Sequence, residues 1–322
     1  MKHGEGQKPG GLARELNLSR NCVVLPVGDY DLGMTLDSGQ VFRWRRHSAE
    51  GSWEGVLGKQ VLRLTSVAEG IQVQAVASAP DLAAVRHFLQ TDTDLASILK
   101  TFPDDAPMNA AVAACRGLRL LRQDPWECLA SFILSATKQI VQIRQMTALL
   151  AERYGEPLPA FPDGLSQFSF PGPARVAALT EADLRACKTG FRAPSLLAAA
   201  RAVAAGEMDL AAVAGMEYAA ARERLMTLRG VGGKIADCVL LFAYGFDAAF
   251  PVDVWIERAL QELYFPRRRA SDRRLRRFAA THFGPHAGYA QQYLFHHIRT
   301  RSRPGVANSS SDRQTAANHH PL

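Results

Sequence analysis

Between Asn21 and Val76 apolar and polar residues alternate with a period of two. Val61-Leu62-Arg63-Leu64-Thr65 and Ile71-Gln72-Val73-Gln74-Ala75-Val76 flank the turn signal Glu69-Gly70, which predicts a β-hairpin, and Trp53-Glu54-Gly55-Val56-Leu57 reads as a third strand. After Pro80 the period lengthens to that of a helix: Leu82, Val85, Phe88 and Leu89, then Leu95, Ile98 and Leu99, mark apolar faces. The same i, i+3, i+4 spacing runs through 126–134, 140–154, 194–205 and 216–228, broken by Gly/Pro clusters at 155–159 and 171–173. The predicted fold class is therefore α+β, a small antiparallel N-terminal sheet followed by a larger all-helical body. Residues 1–17 and 303–322 lack apolar periodicity and are expected to be mobile tails, which leaves a β-rich domain over 18–115 and a helical domain over 116–302.

The chain has 322 residues, 47% hydrophobic and 21% charged, so it can bury real cores and is neither disordered nor collagen-like. Its 38 basic and 31 acidic residues give a net charge of +7, which permits a polyanionic partner such as nucleic acid without selecting one. Five cysteines at 22, 115, 128, 187 and 238 form no C-x-x-C pair and are odd in number, which fits a reducing cytoplasm better than a disulfide scaffold or zinc ribbon. The first 15 residues hold no apolar h-region, and the longest apolar stretch, 235–246, is too short to span a bilayer and contains Asp237. A cytoplasmic protein, nucleoid-associated in a bacterium and without a membrane partner, is the expectation.

The most informative stretch is Leu228-Arg229-Gly230-Val231-Gly232-Gly233-Lys234, set between two helical patterns. A helix, a tight Gly-x-Gly hairpin and a second helix aim free backbone N–H groups at one point, a cradle for a phosphate. A nucleotide-binding P-loop fails here, because it needs glycine where Leu228 stands and Ser or Thr where Ile235 stands. A DNA-backbone clamp involving Gly230 and Gly232 is the better reading, with a plain interhelical turn as the alternative. Lys234 opens the second helix, where the helix dipole and partial burial both disfavour a positive charge; it is a candidate nucleophile or an ordinary solvated lysine. Nineteen positions on, Asp253 follows Pro251-Val252 and precedes a helical pattern, so it is placed as an N-cap. A carboxylate there is expected to stay ionised, and could also stabilise a sugar cation or move protons around a lysine amine.

These stretches, Leu228 to Cys238 followed by Pro251-Val252-Asp253-Val254, resemble the signature of the helix-hairpin-helix base-excision DNA glycosylases. Ser38-Gly39-Gln40-Val41-Phe42-Arg43-Trp44, Leu121-Arg122-Gln123-Asp124-Pro125-Trp126-Glu127-Cys128 and Gly284-Pro285-His286-Ala287-Gly288-Tyr289-Ala290-Gln291 narrow the likeness to the 8-oxoguanine DNA glycosylase family, from about Asn21 to Arg301. The resemblance implies a bifunctional glycosylase/lyase acting on duplex DNA that contains oxidised purines. Lys234 would attack C1′ of the flipped nucleotide and form a Schiff base that undergoes β-elimination, and Asp253 would assist. It also implies that Gly39 offers a carbonyl to the N7 proton of 8-oxoguanine, Gln291 reads the Watson–Crick edge, and Phe295 and Cys238 flank the base. Phe191 and Arg192 would wedge into the duplex. Met226, Leu228 and Val231 would offer carbonyls to a monovalent cation. No cysteine follows Cys238, so no iron–sulfur cluster is predicted, and no obligate protein partner is evident.

Departures from the family pattern matter. Where eukaryotic members read the orphaned cytosine with asparagines and an arginine, this chain has Thr137, Lys138, Gln139 and Gln142, and Trp255 replaces a phosphate-contacting histidine. Without a guanidinium fork, discrimination at the opposite base is expected to weaken. Seven arginines between Arg267 and Arg277 are either a solvated face or an electrostatic attraction for DNA. His282, His286, His296 and His297 lack metal-ligand spacing. The competing functions are a monofunctional alkylpurine glycosylase, which works without the lysine, and a helix-hairpin-helix module that binds DNA without chemistry.

Overall fold

The computed structural model describes residues 16–19, 21–47, 51–267 and 269–301. The tail expected over 303–322 and the first fifteen residues lie outside them. Six strands form one antiparallel sheet: β1 (Leu16–Ser19), β2 (Cys22–Pro26), β3 (Arg45–Arg46), β4 (Trp53–Leu57), β5 (Gln60–Val67) and β6 (Gly70–Ala75), in the order β1-β2-β6-β5-β4-β3. The predicted hairpin is β5–β6, with Leu64 opposite Val73 and Leu62 opposite Ala75. Its period of two places Leu62, Leu64, Ile71 and Val73 in the core.

Two expectations are corrected in this region. Leu16 and Asn17, read as tail, pair with Val24 and Val23 as an added edge strand; ladder pairing uses the backbone and needs no apolar periodicity. Inside the stretch read as alternating lies a short helix, α1 (Leu32–Asp37). Asp31 accepts the Met34 N–H at 2.7 Å, and Leu32, Thr35 and Leu36 turn inward at i, i+3 and i+4.

The helices that follow are α2 (Leu82–Leu89), α3 (Leu95–Leu99), α4 (Ala106–Ala114), α5 (Pro125–Leu134), α6 (Ile140–Tyr154), α7 (Pro173–Ala177), α8 (Glu181–Ala186), α9 (Ala193–Ala204), α10 (Tyr218–Met226), α11 (Gly233–Val239), α12 (Val254–Tyr264), α13 (Asp272–His282) and α14 (Ala287–Arg301). A small strand pair, β7 (Pro157–Leu158) and β8 (Gln167–Phe168), separates α6 from α7. Aspartates start many of them: Asp81, Asp94, Asp105 and Asp124 each accept the N–H three residues on, at 3.0, 3.1, 2.8 and 2.8 Å. Each such cap stabilises its helix by about 1 kcal/mol relative to alanine. None of these helices is long and apolar enough to cross a membrane, among the described residues.

Two apolar cores result. One joins the sheet to α1 and α2 through Leu25, Leu36, Leu64, Val73, Val85 and Phe88. The other is helical, and it takes in Leu95 and Ile98 of α3 and Met108 and Ala111 of α4, so packing assigns these helices to the helical body rather than to the sheet. Residues 38–44 straddle both: Val41 and Trp44 sit in the sheet core, while Phe42 enters the helical one. That segment carries Gly39 to the seam between the two bodies.

Candidate active site

A cavity of about 940 Å³ opens at this seam. Gly39, Lys234, Cys238, Asp253, Gln291 and Phe295, singled out from sequence on separate motifs, all line it. They arrive from the 38–44 segment, α11, the N-terminus of α12, and α14.

Gly232, in extended conformation, caps α11, and Lys234 is the second residue of that helix. The lysine is half-buried and its Nζ donates to Ser135 Oγ at 3.0 Å. The Ser135 hydroxyl in turn donates to the Phe132 carbonyl at 2.7 Å. Its proton is therefore engaged, and towards the amine Ser135 acts as an acceptor. Behind α11, the buried Asp237 accepts from Arg222 Nε at 2.7 Å and from the Tyr218 hydroxyl at 2.8 Å, which ties α10 to α11. A Cβ at Gly233 would lie 2.1 Å from an Arg222 guanidinium nitrogen, so a side chain there would have to move the end of Arg222 beside this tie. At Gly230, φ is +78° and a Cβ would fall 2.3 Å from Ser195 Oγ, so the hairpin turns where only glycine fits.

Asp253 caps α12, accepting the Ile256 N–H at 2.9 Å. Burial pushes its carboxyl above the usual range, opposed by that hydrogen bond and by the Lys234 charge. The direction of this shift is opposite to the one a helix terminus alone would give, because loss of water outweighs the cap.

Gly39 has φ +86°, and a Cβ would lie 2.6 Å from Ile140 Cδ1 and 3.4 Å from Phe295 Cε1. Gln40 fixes its loop, donating to the Arg119 carbonyl at 2.8 Å and accepting the Leu121 N–H at 2.8 Å. Gln292 adds a bond to the Ser38 carbonyl at 3.1 Å. Among the described residues nothing donates to the Gly39 carbonyl. Gly39→Ala adds left-handed strain of about 1–2 kcal/mol and a methyl group in the pocket wall. The expected result is a loss of single-turnover base release of about tenfold or more, with a melting temperature lowered by only a few degrees; unchanged release would remove Gly39 from the site.

Gln291 is 4% exposed, and its Oε1 has no hydrogen-bond partner among the described residues. An unmet buried acceptor costs about 1–3 kcal/mol, which a ligand N–H arriving in the cavity would recover. Burial pushes the Cys238 thiol up to about 12, against the pull of Lys234, so it stays neutral and offers an apolar flank. Phe132 and Phe242, absent from the sequence reading, stack at 5.5 Å and line the cavity. Phe242 is placed by a π-helical turn over Leu240–Tyr244 that continues α11.

The model of the 8-oxoguanine DNA glycosylase N-terminal domain matches residues 22–129, and that of the HhH-GPD superfamily of base excision DNA repair proteins matches 130–284. The probable N-glycosylase/DNA lyase of Methanothermobacter thermautotrophicus is 34% identical over 300 residues, 85% of this chain and 95% of its own length. The chain belongs to the 8-oxoguanine DNA glycosylase family. A structure of MBOgg1 with a low-affinity DNA ligand superposes with a TM-score of 0.85 at 30% identity, covering 90% of this chain and 99% of that one. The 8-oxoguanine glycosylase/lyase of Clostridium acetobutylicum, solved with double-stranded DNA bearing cytosine opposite 8-oxoG, gives 0.83 at 30% identity, covering 89% and 97%.

In this family member the surface beside the cavity carries Phe191 on a short turn, Gly190–Arg192, with its ring 68% exposed rather than folded onto the core. Arg192 behaves differently from the wedge partner expected of it. It is 3% exposed, and its guanidinium donates to the Ala136 carbonyl through Nε at 2.8 Å, to Thr137 Oγ1 at 2.8 Å and to the Thr189 carbonyl at 3.2 Å. The two therefore differ in role, with Phe191 facing solvent and Arg192 holding protein acceptors. Thr137 and Lys138 line the cavity mouth, the first exposed and the second half-buried. Of the arginine run, Arg267, Arg269, Arg273, Arg274, Arg276 and Arg277 are exposed; Arg268 lies outside the described residues.

Proposed function

We propose that the chain is a bifunctional DNA glycosylase and abasic-site lyase that flips 8-oxoguanine out of duplex DNA into the cavity and excises it. The observation that carries this reading is one cavity holding the Lys234 amine, the Asp253 carboxyl and the unmet Oε1 of Gln291. The lone pair of Lys234 Nζ forms a bond to C1′ while the glycosidic bond breaks and its electron pair leaves with the base, which takes up a proton. Opening of the sugar ring, with a proton delivered to O4′, gives the Schiff base. Loss of a C2′ proton then expels the 3′ phosphate and cuts the strand. Asp253 stabilises the cationic sugar and carries protons to and from the amine. Gln291 Oε1 accepts from the N–H groups of the purine's Watson–Crick edge, and the Gly39 carbonyl accepts the N7 proton that guanine lacks. Phe295 and Cys238 sandwich the ring, and Phe191 fills the vacated stack.

The partner is double-stranded DNA, held by the 228–234 hairpin and attracted by the exposed arginines. We propose a β-rich unit and a catalytic unit that divide the chain near residue 115, with α3 and α4 of the first stretch packed into the helical core of the second. No organic cofactor takes part in this scheme. Backbone carbonyls of Met226, Leu228 and Val231 suit a monovalent cation between hairpin and phosphate, and Leu228 O, which accepts the Val231 N–H at 3.0 Å, keeps its second lone pair for it. The deciding experiment is borohydride trapping on a duplex with one 8-oxoguanine: a covalent adduct supports the lyase, base release without an adduct supports a monofunctional glycosylase, and binding alone leaves a module.

Thr137, Lys138 and Gln139 at the cavity mouth, and Gln142 on the first turn of α6, supply no guanidinium fork, and Arg192 is spent on the protein itself. Excision of 8-oxoguanine opposite C, A, G and T is expected to differ by less than the factor of about 5 to 150 that one bidentate contact of about 1–3 kcal/mol supplies. Single-turnover rates on the four duplexes check this, and a strong preference for C would overturn it.

A further inference from the structure

An unbroken chain of contacts runs from the exposed Phe191 ring to the Lys234 amine. The Arg192 guanidinium carbon lies over the Phe191 ring, 4.1 Å from its centroid, a cation–π contact. All three guanidinium nitrogens are engaged with protein acceptors, chiefly the Ala136 carbonyl and Thr137 Oγ1. Thr137 has φ +56°, a conformation that β-branched residues rarely adopt unless their surroundings impose it. The turn it belongs to is closed by the Lys138 N–H on the Ser135 carbonyl at 3.1 Å. Ser135, at the start of that turn, accepts from Lys234 Nζ at 3.0 Å.

We infer that segment 135–137, clamped by Arg192, couples filling of the duplex gap by Phe191 to placement of the nucleophile, with Arg192 and Ser135 as positioning residues. The inference rests on the lyase reading above. Insertion between base steps immobilises the Phe191 ring. The ring fixes the guanidinium plane on its face, the guanidinium holds Ala136 and Thr137, and Ser135 Oγ then draws one N–H of Lys234 to a set place, leaving the rest of the amine for C1′. An unfilled gap leaves the ring mobile and the amine poorly aimed, so the reaction proceeds on a nucleotide whose place in the stack has been taken. Misplacement of a reacting group by about 1 Å is enough to slow a reaction by about 100-fold.

A double-mutant cycle tests this, because residues acting through one chain are not additive. The full-length protein is compared with Arg192→Lys, Ser135→Ala and the double variant, by single-turnover excision at saturating enzyme and by affinity for a duplex holding a tetrahydrofuran abasic analogue. Lysine keeps the charge but cannot make the fork. Each single variant should lose about tenfold or more in excision with affinity within about threefold of the wild type. The double variant should be no slower than the worse single one within about twofold. Should Arg192→Lys fold poorly by melting temperature, Thr137→Val, which removes only the Oγ1 acceptor, takes its place in the cycle. Fully additive losses, or a loss confined to affinity, overturn the coupling while wild-type trapping leaves the lyase reading standing. Absence of wild-type trapping overturns both.

Discussion

Lys234→Gln should abolish borohydride trapping and slow base excision by about 10⁴-fold or more, the scale on which removal of a covalent nucleophile is felt. Glutamine is one atom shorter but keeps an N–H directed towards Ser135, whose Oγ accepts from Nζ at 3.0 Å in the wild type. What it lacks is a lone pair able to bond C1′, since the amide nitrogen's pair is delocalised. Lys234 is half-buried and supports little packing, so the fold and the hairpin should survive. Affinity for a tetrahydrofuran duplex should stay within about threefold, because the proposed phosphate contacts are those of the hairpin and the arginine-rich surface rather than of this amine. The check is a pair of measurements, adduct formation on a gel and affinity by titration. An adduct that persists in the variant places the Schiff base on another amine.

The residues whose chemistry stands alone are legible in the sequence, and those that act by contact are not. Lys234 and Asp253 sit in motifs of glycine and proline whose backbone shape advertises them, and both line the cavity. Ser135 has no such frame. It is one more polar residue at a helix end, and its partner Lys234 lies 99 positions away, so only the folded chain brings the two together. Phe132 and Phe242 satisfy the apolar period of core helices and are indistinguishable from filler until a cavity is seen beside them. Arg192 shows the converse: next to an exposed aromatic it reads as a DNA contact, but an acceptor 56 positions upstream claims it. In the sheet domain the β5–β6 hairpin is plain because Leu62, Leu64, Ile71, Val73 and Ala75 bury one face over most of its length. The helix α1 hides within the alternating stretch because six residues hold too little of a 3.6 period to compete with it.

Asp253→Asn isolates charge from capping, since asparagine caps a helix about as well as aspartate and can accept the same Ile256 N–H, now 2.9 Å away. Turnover should fall by about 10²–10⁴-fold, the span of general acid–base assistance, with little loss of DNA affinity; an unchanged rate would remove the role assigned to Asp253. Burial sets the direction of the pH effects. The folded-state pKa is raised above the ordinary 3.8, so the ionised form is lost as pH falls through a value higher than that of a free aspartate. Wild-type excision should therefore decline on the acid side earlier than a solvated carboxylate allows, and this limb should be missing from the residual activity of the variant. The same shift fixes a sign for stability. A carboxyl that binds its proton more tightly when folded contributes stability that is present below the unfolded pKa and lost as pH rises through the folded one. At pH 7 the ionised, partly desolvated Asp253 thus weighs against the fold, and Asp253→Asn should melt at a slightly higher temperature than the wild type. The difference should shrink as the pH falls through the raised pKa of the folded carboxyl, below which both side chains are neutral. A variant less stable than the wild type at pH 7 would mean that the pull of Lys234 and of the helix terminus outweighs burial. In that case the active-site carboxylate is held ionised by its partners rather than strained by loss of water.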